Sequence, residues 1–95
     1  MIFLRKGNFY EGRTMEEAVM RLLLHHKIVG ATAIEGTMGY GTEHHLHMPM
    51  QFGATDDVPV IIMFIDETKK AHEVIPFIRD IVGDSLIISE KVEKL

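Results

Sequence analysis

The 95 residues contain no cysteine. Disulfides and thiolate zinc sites are thereby excluded, and a reducing compartment fits. An excess of positive charge is also missing: 10 Lys and Arg stand against 14 Asp and Glu, for a net charge of −4. No basic block is present to steer a nucleic acid or an acidic membrane. The longest apolar run, residues 58–65, is far short of the roughly 20 residues that a membrane span requires. Met1-Ile2-Phe3-Leu4-Arg5-Lys6 places its charges after a very short apolar run, the reverse of a signal peptide. The expectation is a cytoplasmic protein with no direct membrane insertion and no nucleic-acid partner. Catalytic groupings are lacking as well. Glu16-Glu17 and Asp66-Glu67 suit helix starts, and Asp56-Asp57 suit a turn. No nucleophile stands at a working distance from a base, so an enzyme is not expected.

Apolar residues are abundant, at 46%. A chain this size forms one domain over residues 1–95, and it buries only about 60–65% of its unfolded surface. Its apolar runs exceed what so small a monomer hides, which predicts an oligomer.

The pattern predicts a β-α-β-(ribbon)-β-α-β order. Residues 2–4 form a short strand. Thr14-Met15-Glu16-Glu17 fits a reciprocal capping box. Met15, Ala18, Val19, Leu22 and His26 then recur at helical spacing, and Gly30 is read as the stop. Residues 31–34 are the second strand. Leu46, Met48, Met50 and Phe52 alternate with His45, His47, Pro49 and Gln51, which predicts an edge strand or projecting ribbon. Residues 58–65 read as a central strand covered on both faces. Asp66 is placed as an N-cap, and Ala71, Val74, Ile75, Ile78, Ile81 and Val82 form a second helix kinked at Pro76. Gly83 suits its C′ position. Residues 86–89 are the last strand, followed by a polar tail. Two β-α-β units with helices on one sheet face make a ferredoxin-like α+β sandwich.

The richest stretch chemically is Gly36-Thr37-Met38-Gly39-Tyr40-Gly41, a glycine cluster around one tyrosine. Its glycines permit positive φ and close backbone approach. Such a turn either lets the ribbon leave the sheet or cradles an anion with bare N–H groups. His45 and His47, two apart on a strand, project to one side and suit a divalent metal. An exposed ribbon with polar histidines is the plainer reading. His25 and His26 fit a partly buried helix face, and the seven methionines fit flexible core filler.

Tyr10-Glu11-Gly12, the helix from Thr14, Gly30-Ala31-Thr32, the glycine cluster, Leu46-His47, Asp57-Val58-Pro59-Val60 and Ile65-Asp66 together resemble a family of small prokaryotic proteins called PII-like. The resemblance covers about residues 10–92, and the first strand is short against that family. It implies a ferredoxin-like subunit and a homotrimer. More distantly the chain resembles the PII signal-transduction proteins, which bind ATP or ADP between subunits. Gly39-Tyr40-Gly41 is similar to their Gly-Phe-Gly at the loop base, and Gly83-Asp84 to the start of their Gly-Asp-Gly-Lys phosphate loop. Ser85-Leu86 replace the Gly-Lys, so the phosphate lysine is missing. The ligand site expected from this likeness comprises Gly36, Gly39, Tyr40, Gly41, His47, Gly83 and Asp84. Its ligand is a small molecule, with adenine nucleotides first to consider and no cofactor assigned. A membrane transporter or channel is the partner that the likeness suggests. The alternative is a divalent-metal-binding trimer similar to the cation-tolerance proteins, with His45 and His47 as ligands.

Overall fold

Strand β1 (Ile2–Arg5) runs antiparallel to β5 (Pro59–Ile65), with Ile2 opposite Ile62 and Leu4 opposite Val60. On the far side of β5 lies β4 (Gly30–Glu35), with Ala33 opposite Ile62 and Glu35 opposite Val60. The sheet order is thus β1-β5-β4. This computed structural model describes residues 1–41 and 58–95. The predicted histidine ribbon lies outside the described residues.

Residues 86–88 extend the sheet beyond β1. The Phe3 N–H donates to the Leu86 carbonyl at 3.0 Å, and the Ile88 N–H donates to the Met1 carbonyl at 2.9 Å. Only Ile87 forms a bridge, to Ile2, so the expected fourth strand is reduced to one residue pair. The cause is local. Ser85, next in line, is turned back onto the preceding helix, its Oγ donating to the Val82 carbonyl at 2.8 Å. The lateral order, 86–88, β1, β5, β4, is nonetheless that of a ferredoxin-like sandwich.

Helices cover one sheet face. Helix α1 (Met15–His25) starts at Thr14, whose Oγ1 accepts the Glu17 N–H at 3.3 Å. Only this half of the expected capping box forms, because the Glu17 carboxylate meets Arg21 instead. The helix ends without glycine. Lys27 takes φ 58°, its N–H donates to the Leu24 carbonyl at 3.0 Å, and the Ile28 N–H donates to the Leu23 carbonyl at 3.1 Å. This is a Schellman closure with lysine in the left-handed position. Gly30, read as the stop, is instead the first residue of β4.

The second helical segment is broken rather than kinked. Helix α2 (Thr68–Glu73) and helix α3 (Ile75–Val82) are separated at Val74. Pro76 falls in the first turn of α3, where its missing N–H costs no intrahelical bond. A continuous helix would have set its ring against the His72 carbonyl. The N-cap of α2 is Glu67, not Asp66. Gly83 caps α3 at φ 62°, one position earlier than the C′ site expected. The sequence reading also missed a hairpin, β2 (Phe9–Tyr10) and β3 (Arg13–Thr14). Its turn residues Glu11 and Gly12 have φ 48° and 81°, the positive pair of a type I′ turn.

Ile2, Val19, Leu23, Ile62 and Ile78 are fully buried between sheet and helices. Val60 and Ile62 of β5 face this core. The alternate residues do not find cover: Met63 is 39% exposed and Ile65 is 52% exposed. The central strand expected over residues 58–65 is present as residues 59–65, and among the described residues the helices cover it on one face. Opposite residues of antiparallel strands share a face, so Phe3, Ile34, Ile61, Met63 and Ile65 lie on this second side.

Candidate functional site

The glycine turn follows directly from β4 and folds over the start of β5. The Gly36 N–H donates to the Pro59 carbonyl at 2.7 Å. A Cβ on Gly36 would stand 2.8 Å from the Pro59 Cγ, and one on Gly39 would stand 3.4 Å from the same atom. Close approach to one proline ring is therefore what requires glycine at 36. None of Gly36, Gly39 and Gly41 lies in the left-handed region, so the positive φ expected of them is not used. A Cβ on Gly41 would meet nothing within 4 Å. Tyr40 is largely exposed.

A charged pair borders this turn, unread in the sequence. Lys6 Nζ contacts Glu35 Oε1 at 2.6 Å, spanning β5 from the end of β1 to the end of β4. The hydrogen bond that Lys6 donates to Glu35, reinforced by the carboxylate's charge, holds the Lys6 ammonium above the usual lysine range. Two residues on different strands gave no local spacing by which to find them.

The Gly83-Asp84 turn stands at the same end of the sheet, on the opposite edge. From Ser85 across β1 and β5 to Glu35 are three strand spacings, about 14 Å. The two glycine turns therefore leave the sheet from opposite edge strands. Gly83 has φ 62° and open space around its Cα, so conformation rather than crowding selects glycine here. Asp84 is exposed. Arg79 fills this turn, its Nη1 donating to the Gly83 carbonyl at 2.9 Å and to the Ser85 carbonyl at 2.6 Å. An arginine one helical turn before the glycine is the signal that would have revealed it.

His45 and His47 lie outside the described residues. Among the described residues no group of three His, Asp or Glu side chains is arranged to hold a metal ion. Nor is any helix among them long and apolar enough to cross a membrane.

The family profile described as "Uncharacterized ACR, COG1993" (DUF190) matches residues 1–94. The chain belongs to the DUF190 family. A similar relative is the UPF0166 protein MJ1524 of Methanocaldococcus jannaschii, 30% identical over 87 residues. That alignment covers 92% of this chain and 80% of the relative. The DUF190 match begins in β1 and runs through residues 86–88, so it takes in both sheet edges and both glycine turns. Membership in this family agrees with the PII-like resemblance, and the sheet order is compatible with a PII-like fold.

Proposed function

We propose that this chain is the subunit of a ligand-sensing, non-catalytic homotrimer. A small molecule, with adenine nucleotides first among candidates, sits in the cleft between copies and alters the contact with a partner protein. The PII-like resemblance suggests a membrane transporter or channel as that partner. One observation carries the reading. The two glycine turns leave opposite edge strands at one end of the sheet, and a neighbouring copy sets one turn against the other. The open apolar face of β5 supports association of copies, because exposed Met63, Ile65 and Ile34 form one patch with Phe3 and Ile61. Lys6 beside the first turn and Arg79 within the second supply cations that the missing phosphate lysine does not. Both are already engaged, Lys6 by Glu35 and Arg79 by two carbonyls. Nucleotide binding should accordingly be weak.

Native mass spectrometry and titration calorimetry with ATP, ADP and AMP test this reading. Three copies, and binding heat that falls in Lys6→Ala and Arg79→Ala, are expected. Met63→Lys, which places a charge on the open face, should shift the trimer toward monomer. A wild-type chain that sediments as a stable monomer at micromolar concentration overturns the proposal.

A further inference from the structure

On the helical side, α1, α3 and the β2–β3 hairpin border a groove of about 580 Å³. That volume lies within the range of small-molecule sites, about 300–1,000 Å³. Its apolar surface comes from Ala18 and Leu22 on α1 and from Phe77 and Ile81 on α3. Phe77 is 48% exposed, with the His26 ring against it at 4.8 Å between centroids, and its remaining surface lines the groove.

Arg13 and Arg21 both line the groove. They share one carboxylate oxygen: Arg21 Nε donates to Glu17 Oε2 at 2.9 Å, and Arg13 Nε stands 3.5 Å from the same atom. Both contacts run through Nε, the side of the guanidinium away from its two terminal nitrogens. Neither arginine has another partner residue among the described residues. At Glu17 two guanidinium groups meet one carboxylate, a local excess of one positive charge. A guanidinium's terminal nitrogens form the fork that binds carboxylate or phosphate in bidentate fashion. Tyr10 lines the same groove and adds an aromatic face and a hydroxyl. Two further carboxylates, Glu11 on the hairpin and Asp80 on α3, also line it. With Glu17 they outnumber the two arginines by one, so the geometry of the arginine forks, not a net positive charge, selects an acidic group, and a second negative charge is opposed.

We propose that this groove binds an organic anion with a single acidic group, a carboxylate or a phosphate ester, on an apolar body. The acidic group pairs with Arg13 and Arg21, and the body lies on Leu22, Ile81 and Phe77. This groove is lined by residues of a single chain, and the proposal does not rest on the intersubunit cleft.

Proton–nitrogen correlation NMR on the full chain, titrated with 3-phenylpropionate, phenyl phosphate and inorganic phosphate, tests the proposal. Saturable shifts at Ala18, Leu22 and Ile81 and at the arginine Nε–H signals are expected with at least one organic anion. Inorganic phosphate should bind at least tenfold more weakly, for want of an apolar body. The stronger of the two organic probes identifies the acidic group. Arg13→Gln/Arg21→Gln should weaken binding at least tenfold, Arg21→Lys should weaken it less, and Asp80→Asn should tighten it. All three positions are exposed, and an unchanged amide spectrum away from the groove certifies the fold. Absence of saturable shifts with either organic anion overturns the proposal. So does equal affinity in the double variant, or equal binding of the cation benzylamine.

Discussion

Gly36 and Pro59 are packed so closely that no side chain fits between them. The Gly36 N–H bonds the Pro59 carbonyl at 2.7 Å, and the place of a Cβ lies 2.8 Å from the ring's Cγ. The proline ring is fixed to the backbone at both ends, so repuckering is its main means of yielding. Gly36→Ala should therefore destabilise by about 1–3 kcal/mol, the range for overpacking. Gly41→Ala, with open space at the same test, should stay within about 0.5 kcal/mol of wild type. Urea denaturation of both variants checks the contrast.

Lys27 sits at φ 58°, a conformation that disfavours every residue with a Cβ. Lys27→Gly should stabilise the protein by about 0.5–1 kcal/mol, the relief of the left-handed penalty less the entropy of glycine. The carbonyl that receives Lys70 is backbone and is kept. A lower denaturation midpoint in this variant would contradict the Schellman geometry at the end of α1.

Ile78 is fully buried against the sheet. Ile78→Ala should cost about 2–5 kcal/mol, as other large-to-small core changes do. A loss under about 0.5 kcal/mol, on the scale of a surface change, would mean that α3 presents a different face.

Asp66 gives the protein an acid limit. The Glu67 N–H bond holds its carboxyl below the ordinary aspartate range, helped by the Val29 N–H and the Lys70 charge. A depressed folded-state value contributes stability above the unfolded value, about 3.9, that is lost as pH falls through the lower one. Lys6, whose value is raised by Glu35, works in the other direction. Its contribution is complete below the unfolded lysine value, about 10.4, and fades as pH rises through the higher folded value. Thermal melts of Asp66→Asn should fall below wild type at pH 7. The difference should shrink as pH drops below about 4. A constant difference from pH 7 to pH 2 would assign the loss to packing instead.

Periodicity located the helices because Val19, Leu23, Ile78 and Val82 must face one core. It likewise placed residues 59–65 in the middle of the sheet. What escaped it was set by single residues or by distant ones. Glu11 and Gly12 make a two-residue turn, too short to leave a repeating pattern. Lys27 suits the end of α1 by its charge, but its left-handed closure, which the Schellman bonds and the partial burial of Ile28 compensate, falls before Gly30, the residue read as the stop. Asp66 looked like a cap, but its side chain is drawn to Val29, 37 residues away. For the candidate site, the glycine turns were legible as turns. Lys6, Glu35 and Arg79 were not, because only the sheet register and the path after α3 bring them there.

The grip on the α1–β4 connector makes one backbone amide a reporter on a distant helix. Val29 has a side chain that is 79% exposed, yet its N–H is bonded to the Asp66 carboxylate at 3.0 Å. Lys70, on α2, donates to the Lys27 carbonyl at 2.6 Å and stands 3.6 Å from that same carboxylate. Deuterium should enter at Val29 slowly while α2 is intact, and quickly whenever α2 comes loose. The rate at this single surface position would then measure how often α2 detaches, with the rest of the sandwich still closed.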